Sequence, residues 1–354
     1  MADNLQILQE QVLHARDGGH KLNIVGGGTK AFMGRAADPD AGTLNVGEHT
    51  GIVDYHPVEL VLTVRAGTTL QEIEATLAEE GQALHFEPPH FGENSTIGGT
   101  LACNLSGPAR PWAGSVRDQV LGVRLINGKG EHLRFGGQVM KNVAGYDVSR
   151  LQAGAMGTLG VLTEISMKVM PKPAATLTLV QEMPADEVIH YMNSRAAEPK
   201  PITAACWLDD KVYLRLSGAR SAVDATAQKW SGDVMENGDQ FWRQIQDMGH
   251  EFFTGDDPVW RFSVGSTAAN FNLDGPWLID WAGSQRWYRG DAELKRMEAL
   301  AKEAGGQVSL FRGGDREGEV MHHQPDALKG IQRRVKNSFD PDGIFNPGRL
   351  YSWL

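Results

Sequence analysis

Apolar positions recur along the chain with two different periods, and the switches between them mark its elements. Leu5, Leu8, Val12 and Leu13 fall at helical spacing, so residues 4–16 read as an amphipathic helix ended by Asp17-Gly18-Gly19. Leu22 to Val25, Leu44 to Val46, Gly51 to Asp54 and Leu60 to Val64 read as strands. Gly67-Thr68-Thr69 opens a second helix: Thr69 with Glu72 fits a capping box, Leu70, Ile73 and Leu77 share a face, and Gly81 closes it. Residues 85–117 break the pattern. Prolines, paired glycines and small polar residues interleave there with Phe86, Phe91, Ile97 and Leu101, which predicts a long irregular segment that wraps a ligand. Val120 to Ile126 and His132 to Phe135 flank Asn127-Gly128-Lys129-Gly130, a hairpin signal. A strand from Val161 to Val169 runs into Pro171-Lys172-Pro173, which reads as a domain boundary.

The texture changes beyond residue 175. Seven of the nine tryptophans lie between Trp207 and Trp287, which points to a second core. A hairpin is predicted around Asp209-Asp210-Lys211, with strands at Trp260 to Val264, Trp277 to Trp281 and Val308 to Phe311. Helices are predicted at Phe241 to Met248, Glu293 to Ala304 and Asp326 to Asn337. The expected class is α+β.

Composition narrows the function. A chain of 354 residues with 41% hydrophobic and 22% charged side chains has room for two domains. Its net charge of −10 argues against a nucleic-acid binder, which needs a basic face. Two cysteines, Cys103 and Cys206, are too few for a disulfide framework or a four-cysteine iron–sulfur cluster, and read as buried thiols. The N-terminus lacks the features of a signal peptide and no apolar run is long enough to cross a bilayer. The expectation is a cytoplasmic protein that reaches a membrane only through a partner.

The chemistry starts at Ile24-Val25-Gly26-Gly27-Gly28-Thr29-Lys30, where apolar residues lead into three glycines, a hydroxyl and a cation. Successive backbone N–H groups in such a turn form an anion-binding nest, so this stretch reads as a phosphate or pyrophosphate loop. It is not the G-x-G-x-x-G of a nicotinamide-binding fold, which the Pro-rich segment also disfavours. Further on, Ser95-Thr96-Ile97-Gly98-Gly99-Thr100, Gly157-Thr158-Leu159-Gly160-Val161-Leu162-Thr163-Glu164 and Phe339-Asp340-Pro341 through Asn346-Pro347-Gly348-Arg349 follow in order. With the triple-glycine loop, these segments resemble the FAD proteins of the vanillyl-alcohol-oxidase and cresol-methylhydroxylase type. Within that family, Ala31-Phe32-Met33-Gly34-Arg35, Glu87-Pro88-Pro89-His90-Phe91-Gly92-Glu93, the run Gly107 to Asp118, the run Arg134 to Asp147, and Ile279-Asp280-Trp281 through Arg286-Trp287 resemble the flavin-binding subunit-E group of bacterial glycolate oxidases (glycolate dehydrogenases).

The resemblance implies a two-part FAD-binding domain over residues 1–172 and 312–354 and an α+β cap, or substrate domain, over 173–311. It implies FAD-binding roles for Gly26, Gly27, Gly28, Thr29, Lys30, Pro89, Ser95, Thr96, Ile97, Gly98, Gly99, Ala102, Cys103, Asn104, Gly157, Gly160, Val161 and Asn346. Some members attach FAD through a histidine after the paired glycines; Thr29 stands there in this chain, so FAD is expected to be non-covalent. The implied reaction is oxidation of glycolate, with D-lactate as a further substrate, in a complex with a second flavin subunit and an iron–sulfur subunit that passes electrons to quinone on the cytoplasmic side of the inner membrane.

A carboxylate substrate calls for an arginine fork. Arg110, Arg117, Arg261, Arg286, Arg312 and Arg349 stand in suggestive settings, and Arg286, beside Trp281 and Trp287, is the first candidate. His90 and His322-His323 read as loop histidines with solvent partners. Related dehydrogenases carry a metal-binding Gly-His-x-Gly-Asp-Gly-Asn-x-His segment, which this sequence lacks; no metal is expected. That departure keeps two alternatives open, a flavin relay or scaffold subunit without its own substrate site, and a stand-alone FAD-linked D-2-hydroxyacid dehydrogenase.

Overall fold

A computed structural model describes residues 2–138 and 146–354. The recognition run around Lys141 and Asn142 lies outside the described residues. The chain is α+β. Its first part is built on an antiparallel sheet of five strands in the order Ile52–His56, Val61–Arg65, Val161–Lys168, Val120–Ile126, His132–Gly136. The central strands are apolar and lie buried, as their sequence predicts. The helix Leu70–Glu79 is capped by Thr69, whose Oγ1 accepts from the Glu72 N–H at 3.2 Å, and buries Leu70, Ile73 and Leu77. Beside this layer, Leu22–Val25 pairs in parallel with Gly42–Asn45 and carries the glycine turn at its end.

The segment 85–117 is less irregular than its composition predicts. Ile97–Cys103 is a helix, with Thr96 as its N-cap accepting from the Gly99 N–H at 3.2 Å. Paired glycines disfavour a helix by propensity, but packing overrides that here. A side chain on Gly98 would put its Cβ 2.7 Å from the Ala66 carbonyl oxygen, so only glycine lets this helix lie against the neighbouring strand end.

The later part is an antiparallel sheet of eight strands in the order Asp233–Val234, Ala175–Glu182, Lys211–Gly218, Ile202–Leu208, Trp277–Asp280, Gln285–Arg289, Val259–Ser263, Gln307–Arg312. Helices Ala185–Ala196, Arg220–Lys229 and Leu294–Glu303 cover one face through Val188, Val223 and Met297. The other face turns Cys206, Leu278, Trp287 and Phe311 toward Met33, Leu105 and Met156 of the first part. Side-chain parity along these strands therefore decides which residues meet the first part and which face the covering helices.

The tail returns to the first part. Ile344 and Phe345 are buried in the same core as Leu8, Leu22 and Val161. Lys336, on the helix Asp326–Phe339, ties this return together. Its Nζ donates to Asp340 Oδ2 at 2.6 Å, to Thr158 O at 2.7 Å and to Phe345 O at 2.9 Å, and Asp340 accepts in turn from the Ile344 and Phe345 N–H groups.

Candidate functional site

The glycine turn opens onto a cleft of about 450 Å³, within the size range of small-molecule and cofactor sites. Gly26, Gly27, Gly28, Thr29 and Lys30 form one wall, and Thr96, Gly98 and Gly99 with Ala102 and Cys103 form a second. Gly157, Gly160 and Asn346 complete it. Residues separated by more than three hundred positions meet because Asn346 bridges them. Its Oδ1 accepts from the Ile24 N–H at 2.7 Å and its Nδ2 donates to Met156 O at 2.6 Å. Gly27 admits no other residue, since an added Cβ would fall 1.5 Å from the Asn94 carbonyl oxygen. Gly28, at φ +71°, turns the backbone through the left-handed region.

Five expected contacts stand apart from the cleft wall. Ile97 and Val161 are fully buried in the core behind it. Ser95 sits one layer back and its Oγ accepts from Lys30 Nζ at 2.5 Å. Pro89 is buried in the run that contacts the helix Gly238–Gln246, where Gln246 Nε2 donates to Pro88 O and the His90 N–H donates to Asp247 Oδ1. Asn104 caps its helix in the left-handed conformation, and its buried Oδ1 has no donor among the described residues.

Sequence reasoning missed other wall residues. Val46, Ala66, Met33, Met156 and Leu162 supply apolar surface, and Arg316 supplies charge. Met156 directly precedes the segment Gly157 to Glu164 and Leu162 lies within it, so both are within reach of that signal. Arg316 follows an undistinguished turn and carries none.

The cleft is electropositive and lacks a counter-charge. Lys30 is 9% exposed, with Ser95 Oγ and the face of Phe91 as its neighbours. Burial pulls its pKa down to about 8. Arg316 is pushed to about 10 by burial and by Arg349, and burial lowers Arg349 as well. Arg316 donates to Leu310 O at 2.8 Å through Nη1, but its buried Nη2 has no partner among the described residues. Arg349 donates to the Arg35 and Ala31 carbonyls. Among the described residues none of these three cations forms an ion pair; the buried pair of this region is Lys336 with Asp340. Buried cations without carboxylates, a glycine nest and apolar walls fit a flat dinucleotide with an anionic pyrophosphate, and so fit FAD.

Arg286 lies elsewhere. It is 1% exposed, and its Nε, Nη1 and Nη2 donate to the carbonyls of Gly283, Ala269 and Ala268. It stands on the face of its strand opposite to Trp287, over the Phe271 ring, so it braces the cap from outside and does not face the cleft. Arg312 is likewise committed to Phe253 O and the Phe32 ring, and Arg117 is exposed. His90 is held at 3.1 Å by Glu74, whose hydrogen bond raises its pKa.

The family described as "FAD binding domain" (FAD_binding_4) matches residues 2–136, the part that supplies two of the three cleft walls. The chain is 46% identical over 99% of its length, and 99% of the relative's, to glycolate oxidase subunit GlcE of Escherichia coli strain K12. It is 29% identical to a D-lactate dehydrogenase of Archaeoglobus fulgidus over 92% of this chain and 84% of that one. Glycolate oxidase subunit GlcD of Bacillus subtilis strain 168 matches at 36% over 46% of this chain and 34% of its own. A solved alkyldihydroxyacetonephosphate synthase shares the fold, with a TM-score of 0.65 at 15% identity over 97% of this chain and 74% of that one. The chain thus binds FAD and belongs to the GlcE family of glycolate oxidase subunits, within the FAD-linked oxidoreductases of the vanillyl-alcohol-oxidase type.

Proposed function

We propose that this chain is a flavin subunit of a complex that oxidises glycolate, and other small 2-hydroxy acids such as D-lactate, to the 2-oxo acid. The observation that carries the reading is similarity to a glycolate oxidase subunit that spans the cleft, the cap and the returning tail alike. When bound, FAD would supply the redox chemistry, accepting the two electrons of the oxidation as one hydride from the substrate carbon while the hydroxyl proton leaves separately. The chain's own residues do the rest. The glycine turn and Lys30 hold the pyrophosphate, and the wall around the flavin is made by Gly26, Gly27, Gly28, Thr29, Lys30, Thr96, Gly98, Gly99, Ala102, Cys103, Gly157, Gly160 and Asn346. Ser95, Ile97, Val161, Asn104 and Pro89 support that wall from behind. Residues 1–172 and 312–354 act as the FAD-binding domain and residues 173–311 as the cap.

The partners are a second flavin subunit and an iron–sulfur subunit, which carries electrons on to quinone. No helix among the described residues is long and apolar enough to cross a membrane, which suits attachment to the cytoplasmic face of the inner membrane through the complex. FAD is held non-covalently, because Thr29 stands where a histidine would be the attachment point. Acid precipitation tests this: flavin should stay in the supernatant, and flavin in the pellet would show a covalent bond.

A second reading, a flavin relay fed by the companion subunit, is favoured by the missing metal-binding histidine segment. Anaerobic glycolate added to the purified FAD-loaded chain separates the two. Loss of the oxidised flavin absorbance establishes a working substrate site here. Bleaching only after the companion subunits are added assigns the oxidation to them.

A further inference from the structure

The cap sheet turns one further cation toward the first part of the chain. Along Val259–Ser263, Val259 packs with Met33, Met156 and Trp287, while Trp260 and Phe262 pack with Met297 and Val308 on the outer face. Strand alternation therefore puts Arg261 on the inner face. Its register partners are Trp287 and Ser309. Nε of Arg261 donates to Gln285 Oε1 at 2.7 Å, and the guanidinium stands 5.3 Å from the Trp281 ring. Arg110, from the short turn Arg110–Ala113, stands 4.5 Å from that same ring. Trp281 joins the two sides, because its Nε1 donates to Gly107 O at 3.0 Å.

The nearby carboxylates already have partners, and Asp280 reaches Arg261 only through Gln285, whose Nε2 donates to Asp280 Oδ2 at 3.5 Å. Glu87 is paired with Arg215 at 2.6 Å and accepts from the Ala109 N–H. Asp280 is 2% exposed and accepts from the Trp281 N–H at 2.8 Å. Burial raises Asp280 to about 7; burial together with Arg110 lowers Arg261 to about 10, which the nearby Asp280 offsets in part. Among the described residues neither Arg261 nor Arg110 forms an ion pair, and the single recorded hydrogen bond of their side chains is the one to Gln285. Two like charges gathered on one indole, exposed Arg110 and half-buried Arg261, with no carboxylate bonded directly to either among the described residues, are placed to take an anion between them.

We propose that Arg261 and Arg110 form a fork for the carboxylate of a small 2-hydroxy acid, with Trp281 as its apolar floor. The identity of the acid rests on the function proposed above; the fork itself rests on the geometry. It replaces Arg286, whose donors are spent on backbone carbonyls one residue out of phase on the adjacent strand.

The test titrates the FAD-loaded chain with oxalate, which presents a carboxylate beside an oxygen and cannot give up a hydride. Calorimetry is expected to show binding that weakens roughly 10- to 100-fold in Arg261→Gln. Arg261→Lys should regain part of it, and Arg117→Gln, exposed on the next turn, should change nothing. Arg110 is exposed, so Arg110→Gln should fold and should weaken oxalate by a smaller factor. A wild-type chain that binds no oxalate overturns the fork. So does an Arg110→Gln chain, or a flavin-loaded Arg261→Gln chain, that binds oxalate as the wild type does. Oxalate binding that depends on Arg261 in a chain that glycolate never bleaches would keep the fork and sink the oxidation reading. Glycolate bleaching with unchanged concentration dependence in Arg261→Gln would do the reverse.

Discussion

The cleft at the glycine turn and the outer face of the eight-stranded sheet both bury positive charge, and they do it in opposite ways. On that outer face Arg286 is fully buried, and each of its three guanidinium nitrogens donates to a backbone carbonyl, from two loops in all. In the cleft, Lys30 has one hydroxyl and an aromatic face. The difference separates structure from function. A buried cation whose donors are all used stabilises the chain, whereas one left short of acceptors is held ready for a ligand that brings the missing charge.

Lys336 extends the first class and gives the largest expected effect. Lys336→Met leaves Asp340 buried and unpaired and frees the carbonyls of Thr158 and Phe345. It should cost about 3–5 kcal/mol of stability, read by denaturant unfolding. Arg286→Leu should cost about 2–4 kcal/mol, because three carbonyls lose a donor. Its FAD content, measured from the flavin-to-protein absorbance ratio, should match the wild type. A loss of FAD without loss of stability would place Arg286 with Lys30 and break the comparison.

Lys30→Met should behave in the opposite sense. FAD affinity is expected to fall roughly 10- to 100-fold, the worth of a charge-assisted contact. The flavin-free chain should unfold at the same temperature or a higher one, since an uncompensated buried charge has been removed. A flavin-free chain that melts earlier would show that Lys30 braces the fold through Ser95 and is not reserved for the cofactor.

The two regions also differ in how much of them the sequence discloses. The cleft is made largely of backbone, and backbone demands leave a local trace. Gly27 must lack a side chain because of Asn94, and Asn346 must bridge the strand Leu22–Val25 and the turn at Met156 at φ 42°, so both stand out as glycine and Asn-Pro-Gly signals. The helix Ile97–Cys103 hid behind the same glycines, since close packing on Ala66 and not propensity allows it. The cap inner face is made of side chains whose direction depends on strand register. Gln285–Arg289 is polar at three of its five positions and was not read as a strand, although Gln285, Arg286, Trp287 and Tyr288 are buried. Without that strand, nothing local distinguishes Arg286, which faces out, from Arg261, which faces in. Arg316 reaches the cleft by tertiary contact alone.

The sharpest form of the comparison is its dependence on pH. Lys30 in the flavin-free chain loses its proton near pH 8, because burial disfavours the charged form and the neighbouring Cys103 offsets this only in part. Burial raises the Cys103 thiol above its ordinary value. A bound pyrophosphate favours the ammonium and holds its proton to higher pH. Between those two values binding takes up a proton, so FAD affinity should be flat below pH 8 and fall by up to tenfold per pH unit above it. Stability of the flavin-free chain moves the other way. Unfolded lysine keeps its proton to its ordinary value of 10.5, so the unfolded chain binds more protons between 8 and 10.5 and this group favours the folded chain as pH rises through that window. Fluorescence titration of FAD at several pH values reads the first slope. Lys30→Met should abolish it, and Cys103→Ser should retain it. A slope that survives Lys30→Met would assign the proton to another group of the cleft and remove Lys30 from the class of cations held for a ligand.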